Sequence, residues 1–241
     1  MSRSGEDAVE LVIFDYGGVI SERVLDDMAM FDDLMGLPVG SLDRLLFGEI
    51  PEGVVTDGDP VDGAYDEPGT PVHDFHLLET GEISFDRYLE GLVERAPSVI
   101  GRPLDPEDFF TFAASTPVRI QWPIIHELRR LQAGGVALAL LTNNVKEFGD
   151  GWRSSFPVNE LFSVVVDSCE VGMRKPDPRI YELTCSRCGV EPSRAVFLDD
   201  NADNVAASRA LGIETVHVTG NAVATIAELR AILDRRGVCA S

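Results

Sequence analysis

The reading of the fold turns on Val9-Glu10-Leu11-Val12-Ile13-Phe14-Asp15-Tyr16-Gly17-Gly18. Apart from Glu10, Val9–Phe14 is apolar, rich in branched side chains and too short for a helix, so it reads as a buried strand. Asp15 stands at its carboxyl end, and Gly17-Gly18 turns the chain immediately afterwards.

Four later runs repeat that design. Val136–Leu141 ends at Thr142-Asn143-Asn144, Ser163–Val166 follows, Ala195–Leu198 ends at Asp199-Asp200, and Thr215–Val218 is the last. Continuous apolar strands belong to a parallel sheet covered on both faces. Helical patterns separate them. Ile124–Gln132 places Ile124, Ile125, Leu128 and Leu131 on one stripe before Gly134-Gly135. Ile180–Cys188 follows the cap-and-first-turn pair Asp177-Pro178, and Asn204–Leu211 stops at Gly212. The alternation predicts an α/β fold, an open, doubly wound, Rossmann-like parallel sheet.

The alternation breaks once. Between the first strand and Val136 the chain reads as helices at Leu25–Met35, Ser41–Phe47, Phe85–Ala96 and Pro106–Ala114. Gly48–Pro71, rich in Gly, Asp and Pro, reads as an irregular excursion. Residues 1–18 and 118–241 are therefore expected to form the core, and 19–117 a mostly helical insert. No internal repeat is visible.

Composition narrows the function. The chain has 241 residues, with 20 Lys+Arg against 41 Asp+Glu and a net charge of −21. A field this negative repels nucleic-acid backbones and anionic membrane surfaces. Four Cys (Cys169, Cys185, Cys188 and Cys239) make no disulfide scaffold, and the N-terminus has no signal-peptide pattern. A cytoplasmic protein is the expectation. Only two lysines are present, Lys146 and Lys175.

Ligands of open α/β sheets bind beyond the carboxyl ends of the strands. Asp15, Thr142, Asn143, Asp199 and Asp200 stand at those ends, and Lys175 follows the third strand by a short loop. Converging carboxylates repel unless a cation neutralises them, and hard oxygen ligands suit Mg2+. Lysine and threonine suit the oxygens of a phosphoryl group. Asp15 is then placed to attack phosphorus.

Phe14-Asp15-Tyr16-Gly17-Gly18-Val19, Leu141-Thr142-Asn143-Asn144, Arg174-Lys175-Pro176-Asp177 and Phe197-Leu198-Asp199-Asp200, with Asn204-Val205 following, come in that order. Together they resemble the four motifs of the haloacid dehalogenase superfamily, in its phosphatase-like branch with a helical cap after the first motif. The resemblance implies Asp15 as nucleophile and metal ligand, and Thr142 and Asn143 on the phosphoryl oxygens. It further implies Lys175 balancing charge, Asp199 and Asp200 with the Gly17 carbonyl on Mg2+, and Asn204 supporting that loop. The expected partner is a small phosphorylated metabolite; the oligomeric state is left open.

One position departs from the pattern. The family's phosphatases usually carry a second Asp two residues after the nucleophile as proton donor, and Gly17 stands there. Either His73, His76, Glu22 or a water supplies the proton, or the leaving group needs little protonation, as in acyl phosphates and sugar 1-phosphates. Two alternatives remain: a weakened member that binds a phosphorylated ligand, and a metal-independent 2-haloacid dehalogenase, which the pair Asp199-Asp200 disfavours. Asp203 reads as helix-start chemistry, and Arg174 as an anion-steering or ion-paired side chain. Cys185 and Cys188 share a buried helical stripe with Tyr181, while Trp122 and Pro123 read as structural.

Overall fold

The computed structural model describes residues 8–22, 28–47, 73–107 and 118–238. Five strands, β1 (Leu11–Phe14), β2 (Ala137–Thr142), β3 (Val164–Asp167), β4 (Ala195–Asp199) and β5 (Glu214–His217), form one sheet in the order β3-β2-β1-β4-β5. All neighbours are parallel; Leu11 lies opposite both Ala137 and Ala195, and Phe14 opposite both Leu140 and Leu198. The strand order reverses direction at β1, so a crevice opens at its carboxyl end between β2 and β4.

Among the described residues the helices include, in chain order, α1 (Met28–Leu34), α2 (Ser41–Phe47), α3 (Asp74–Glu79), α4 (Phe85–Val99), α5 (Trp122–Ala133), α6 (Gly149–Arg153), α7 (Val158–Leu161), α8 (Ser168–Val171), α9 (Pro178–Cys188), α10 (Ala202–Ala210) and α11 (Ala222–Arg236). Strand side chains alternate between two buried layers. Val12, Phe14, Leu138, Leu140, Val196 and Leu198 pack with Ile125 and Leu128 of α5 and with Leu229 and Ile232 of α11. Leu11, Ile13, Ala139, Leu141 and Phe197 pack with Ile180, Tyr181 and Cys185 of α9 on the other face. Each Val, Leu, Ile or Phe among them contributes about 1.5–3 kcal/mol by leaving water.

The insert has its own apolar cluster. Phe31 of α1, Leu42 and Leu45 of α2, Leu78 of α3 and Phe85, Tyr88 and Leu92 of α4 close on one another, and Val145 joins them from the loop after β2. The chain leaves and re-enters the core side by side. Ser21 bridges Ile120 in antiparallel fashion, Glu22 N–H donates to the Arg119 carbonyl (2.8 Å) and Gln121 N–H to that of Ile20 (2.8 Å).

Strand limits differ from the sequence reading by a residue or two. Ladder bonds, not hydropathy, set them, so Thr142, Asp167 and Asp199 lie inside strands while Val9 makes only a bridge to Val238. His73–His76 lies at the start of α3, where the His73 ring caps the helix by accepting from Phe75 N–H (3.1 Å). The closing helix α11 was not anticipated. The expected excursion Gly48–Pro71, the start of the first insert helix (25–27) and the end of the fourth (108–114) lie outside the described residues. Among the described residues no helix is long and apolar enough to cross a membrane.

Candidate active site

β1 ends with Asp15, whose N–H still donates to the Leu198 carbonyl of β4 at 3.0 Å, so the main chain fixes the root of this carboxylate. Its Oδ1 accepts from Tyr16 N–H at 2.7 Å and stands 2.8 Å from Lys175 Nζ. Tyr16 itself is anchored sideways: its ring stacks on Phe156 (5.9 Å between centroids), lies 5.1 Å from Trp152, and its hydroxyl meets Ser155 Oγ at 3.1 Å.

Lys175 is 1% exposed, and its ammonium also reaches Asp199 Oδ2 at 2.7 Å. A buried ammonium is tolerated only when paired. Burial alone would depress its pKa; Asp15 and Asp199 outweigh burial and hold it above the ordinary lysine range. Lys175 is placed by Asn143. The Asn143 Oδ1 accepts from Lys175 N–H (2.8 Å) and its Nδ2 donates to the Lys175 carbonyl (3.0 Å), a two-point clasp between the β2 loop and the Lys175 loop. The sequence reading put Asn143 on the phosphoryl oxygens; here its side-chain carboxamide is engaged with the Lys175 main chain. Thr142, buried at the end of β2, donates through Oγ1 to the Asn143 carbonyl at 3.2 Å.

Asp199 is fully buried and fully partnered. Its Oδ1 accepts from Asn201 N–H (2.8 Å) and Asn204 Nδ2 (3.1 Å), while Oδ2 takes Lys175. Asn204 thus sits where a supporting residue was expected. Its carbonyl in turn accepts from the buried Tyr181 hydroxyl at 3.1 Å. Asp200 is half-buried beside Gly18. A Cβ at Gly18, where φ is +71°, would fall 2.0 Å from Asp200 Oδ2, so both backbone and space demand glycine there. A Cβ at Gly17 meets nothing within 4 Å.

Carboxylate oxygens of Asp15, Asp199 and Asp200 all lie within 4.8 Å of one another. Three carboxylates against one ammonium leave a local excess of negative charge. Burial first, then Asp199 and Asp200, hold Asp15 well above the usual carboxylate range, against the opposing pull of Lys175. A hard divalent cation relieves this strain, and this oxygen donor set fits Mg2+.

Glu22 is exposed and pairs with Arg119 at 3.1 Å. His73 caps α3, and burial, with Arg95 and His76 nearby, pushes its pKa down to about 4. His76 is buried on α3. Arg174, read as steering or paired, is buried and meets Glu79 of α3 at 2.8 Å. Asp203 lies in the first turn of α10, which Asn201 caps. Trp122 opens α5 and is 55% exposed. Cys185 is buried against Tyr181, Cys188 is half-buried, and burial pushes their thiols up to about 12 and about 11. Cys239 lies outside the described residues. Sequence reasoning missed Asn201, Ser168 and Glu79. An Asn ahead of a helical pattern signals Asn201; nothing local signals the other two.

A family model described as haloacid dehalogenase-like hydrolase matches residues 9–212. Mouse acyl-CoA dehydrogenase family member 10 is 34% identical over 155 residues, covering 64% of this chain and 14% of that protein. Pig bifunctional epoxide hydrolase 2 is 27% identical over 224 residues, covering 88% of this chain and 36% of that protein. The chain thus spans well under half of these two relatives. Shorter matches include an (S)-2-haloacid dehalogenase of Pseudomonas and phosphoglycolate phosphatases of Salmonella. A haloacid dehalogenase-family enzyme of Bacteroides thetaiotaomicron, solved with magnesium and inorganic phosphate, shares the fold at a TM-score of 0.60 and 18% identity over 87% of this chain and 94% of that one. Four ordered motifs, their convergence around β1 and the family match agree: this chain belongs to the haloacid dehalogenase-like hydrolases.

Proposed function

We propose that the chain is a Mg2+-dependent hydrolase of a small phosphorylated metabolite that works through an aspartyl-phosphate at Asp15. The observation that carries this reading is the buried ammonium of Lys175 held between Asp15 and Asp199, with Asp200 completing a carboxylate triad. A metal-independent attack on carbon has no use for that triad. The Bacteroides relative holding magnesium and phosphate supports the same choice.

Asp15, Asp199, Asp200 and the Gly17 carbonyl would hold Mg2+, which would offset charge on the phosphoryl oxygens. Asp15 Oδ1 is fixed by Tyr16 N–H and Lys175. The carboxylate attacks phosphorus, the P–O bond to the leaving group breaks, and its electron pair departs with the leaving oxygen. Water then attacks phosphorus, the bond between phosphorus and the Asp15 oxygen breaks with its electron pair returning to the carboxylate, and of the water's two protons one stays on phosphate and the other passes through solvent to the leaving-group oxygen. Lys175 holds its proton throughout and balances charge that develops on the phosphoryl oxygens. Asn143 sets the β2 loop against Lys175, and the Thr142 hydroxyl, which donates to the Asn143 carbonyl here, turns to a phosphoryl oxygen when substrate binds. The insert, as a cap over residues 19–117, selects the substrate and excludes water.

With Gly17 in place of a proton donor, rate depends steeply on the leaving group. Phosphate release is measured from aryl phosphates, acyl phosphates, sugar 1-phosphates and alkyl phosphates, with Mg2+ and with chelator, beside Asp15→Asn. Release that needs Mg2+ and Asp15 and falls steeply with leaving-group basicity supports the reading. Activity on 2-haloacids that survives chelation would replace it with the dehalogenase reading, which the Pseudomonas relative keeps open.

A further inference from the structure

The insert meets the core at a place tied to the clasp between Asn143 and Lys175. Glu79, the last residue of α3, is 7% exposed and points its carboxylate at Arg174, also 7% exposed, with Nε to Oε2 at 2.8 Å. Its main-chain carbonyl accepts from Ser168 Oγ at 2.7 Å, and that same Oγ accepts from Asn144 N–H at 2.9 Å. Arg174 precedes Lys175, and Asn144 follows Asn143. One residue of the insert thus holds Arg174 directly and Asn144 through Ser168, the outer neighbours on the two sides of the clasp that places the ammonium.

Packing alone does not call for this arrangement. A buried ion pair repays its desolvation poorly, and apolar side chains of similar volume hold two surfaces together as well or better. What the charged pair adds is a single seat, because a guanidinium and a carboxylate accept few geometries. We infer that Glu79 is a positioning residue: by holding Arg174 through its carboxylate and the Asn144 turn through Ser168, it sets Lys175 and the β2 loop at working distance from Asp15 when the insert is seated on the core. This deepens the proposed reaction and rests on Lys175 serving it. A displacement of about 1 Å at such a group costs roughly 100-fold in rate.

The test uses the full chain and two variants. Glu79→Gln keeps the shape and removes the charge; the pair Glu79→Met with Arg174→Met removes both charges together and is expected to fold as stably as the wild type. Two quantities are read: kcat and KM for p-nitrophenyl phosphate with Mg2+, and the acylation of Lys175 relative to the exposed Lys146, resolved by mass spectrometry in a chain with only these two lysines. The inference expects kcat to fall about 10- to 100-fold in both variants with KM nearly constant. It also expects the Lys175:Lys146 acylation ratio to rise, even where the melting temperature of the double variant matches the wild type. Wild-type kcat and acylation ratio in the double variant would reduce Glu79 to a structural contact and overturn the inference. If the wild type hydrolyses no phosphate ester, the hydrolase reading falls, and the acylation ratio alone decides whether Glu79 positions Lys175.

Discussion

Replacing Lys175 by Met keeps most of the side-chain length and apolar packing and removes the ammonium. In the native chain that ammonium lies 2.8 Å from Asp15 Oδ1 and 2.7 Å from Asp199 Oδ2, and all three groups are buried. Taking one partner from a buried ion pair costs about 3–5 kcal/mol. Here two carboxylates are left facing each other, so the upper half of that range is expected without metal at pH 7. The deficit depends on pH. Asp15 already titrates above its unfolded value through burial and its acidic neighbours, and Lys175 is what pulls it back. Without Lys175 its pKa rises further. A carboxyl group raised on folding stabilises the fold in its protonated form, and that stability is lost as pH rises through the folded pKa. The loss in Lys175→Met should therefore shrink on acidification, and saturating Mg2+ should also reduce it. Urea unfolding with chelator at pH 7 and pH 5, and again with Mg2+, measures each term. An unfolding free energy within about 1 kcal/mol of wild type at pH 7, the range of ordinary surface substitutions, would refute the reasoning.

Three further outcomes follow from named contacts. Gly17→Asp meets no clash at Cβ, which has nothing within 4 Å; it should raise kcat/KM for alkyl phosphates by about 10²–10⁴ while changing aryl phosphates little, which a leaving-group series reads directly. Gly18→Ala drives a methyl group to 2.0 Å from Asp200 Oδ2 at φ +71°; it should displace Asp200 and weaken Mg2+ binding, measured by calorimetry, at a stability cost of about 1–3 kcal/mol. Far from the site, Glu127 is buried; burial would raise its pKa, but hydrogen bonds from Arg130 and Arg230 outweigh this and lower it. The stability it contributes is present above its unfolded pKa and lost as pH falls through the lowered value. Glu127→Gln should cost about 2 kcal/mol near neutrality and flatten the acid limb of a stability-against-pH curve.

Strands announce themselves by apolar runs ending in Asp or Thr, and the residues at those ends, Asp15, Thr142, Asp199 and Asp200, converge because a parallel sheet delivers all its carboxyl ends to one edge. Lys175 was legible from its rarity and its Pro-bounded loop. The role of the Asn143 side chain was not, because an amide at a strand end suits an oxyanion and a main-chain clasp equally, and only the third dimension shows Lys175 facing it. Glu79 and Arg174 stood 95 positions apart with nothing local to join them. For His73 and His76 the sequence offers no way to tell a chemical role from a structural one, and only the fold shows Nδ1 of His73 as a helix cap. The helix α11 was missed because its interior is rich in alanine, and a weak apolar stripe hid its periodicity.

The position of one oxygen atom tests the central claim most directly. The protein is turned over on p-nitrophenyl phosphate and acetyl phosphate in 18O-water, with Mg2+ or with chelator, and the label is sought in phosphate and in the Asp15 peptide. Attack of Asp15 on phosphorus predicts Mg2+-dependent release, 18O in phosphate only, and no release from Asp15→Asn. Folded, Mg2+-binding protein that releases no phosphate from either ester, or release that persists in Asp15→Asn, would contradict it.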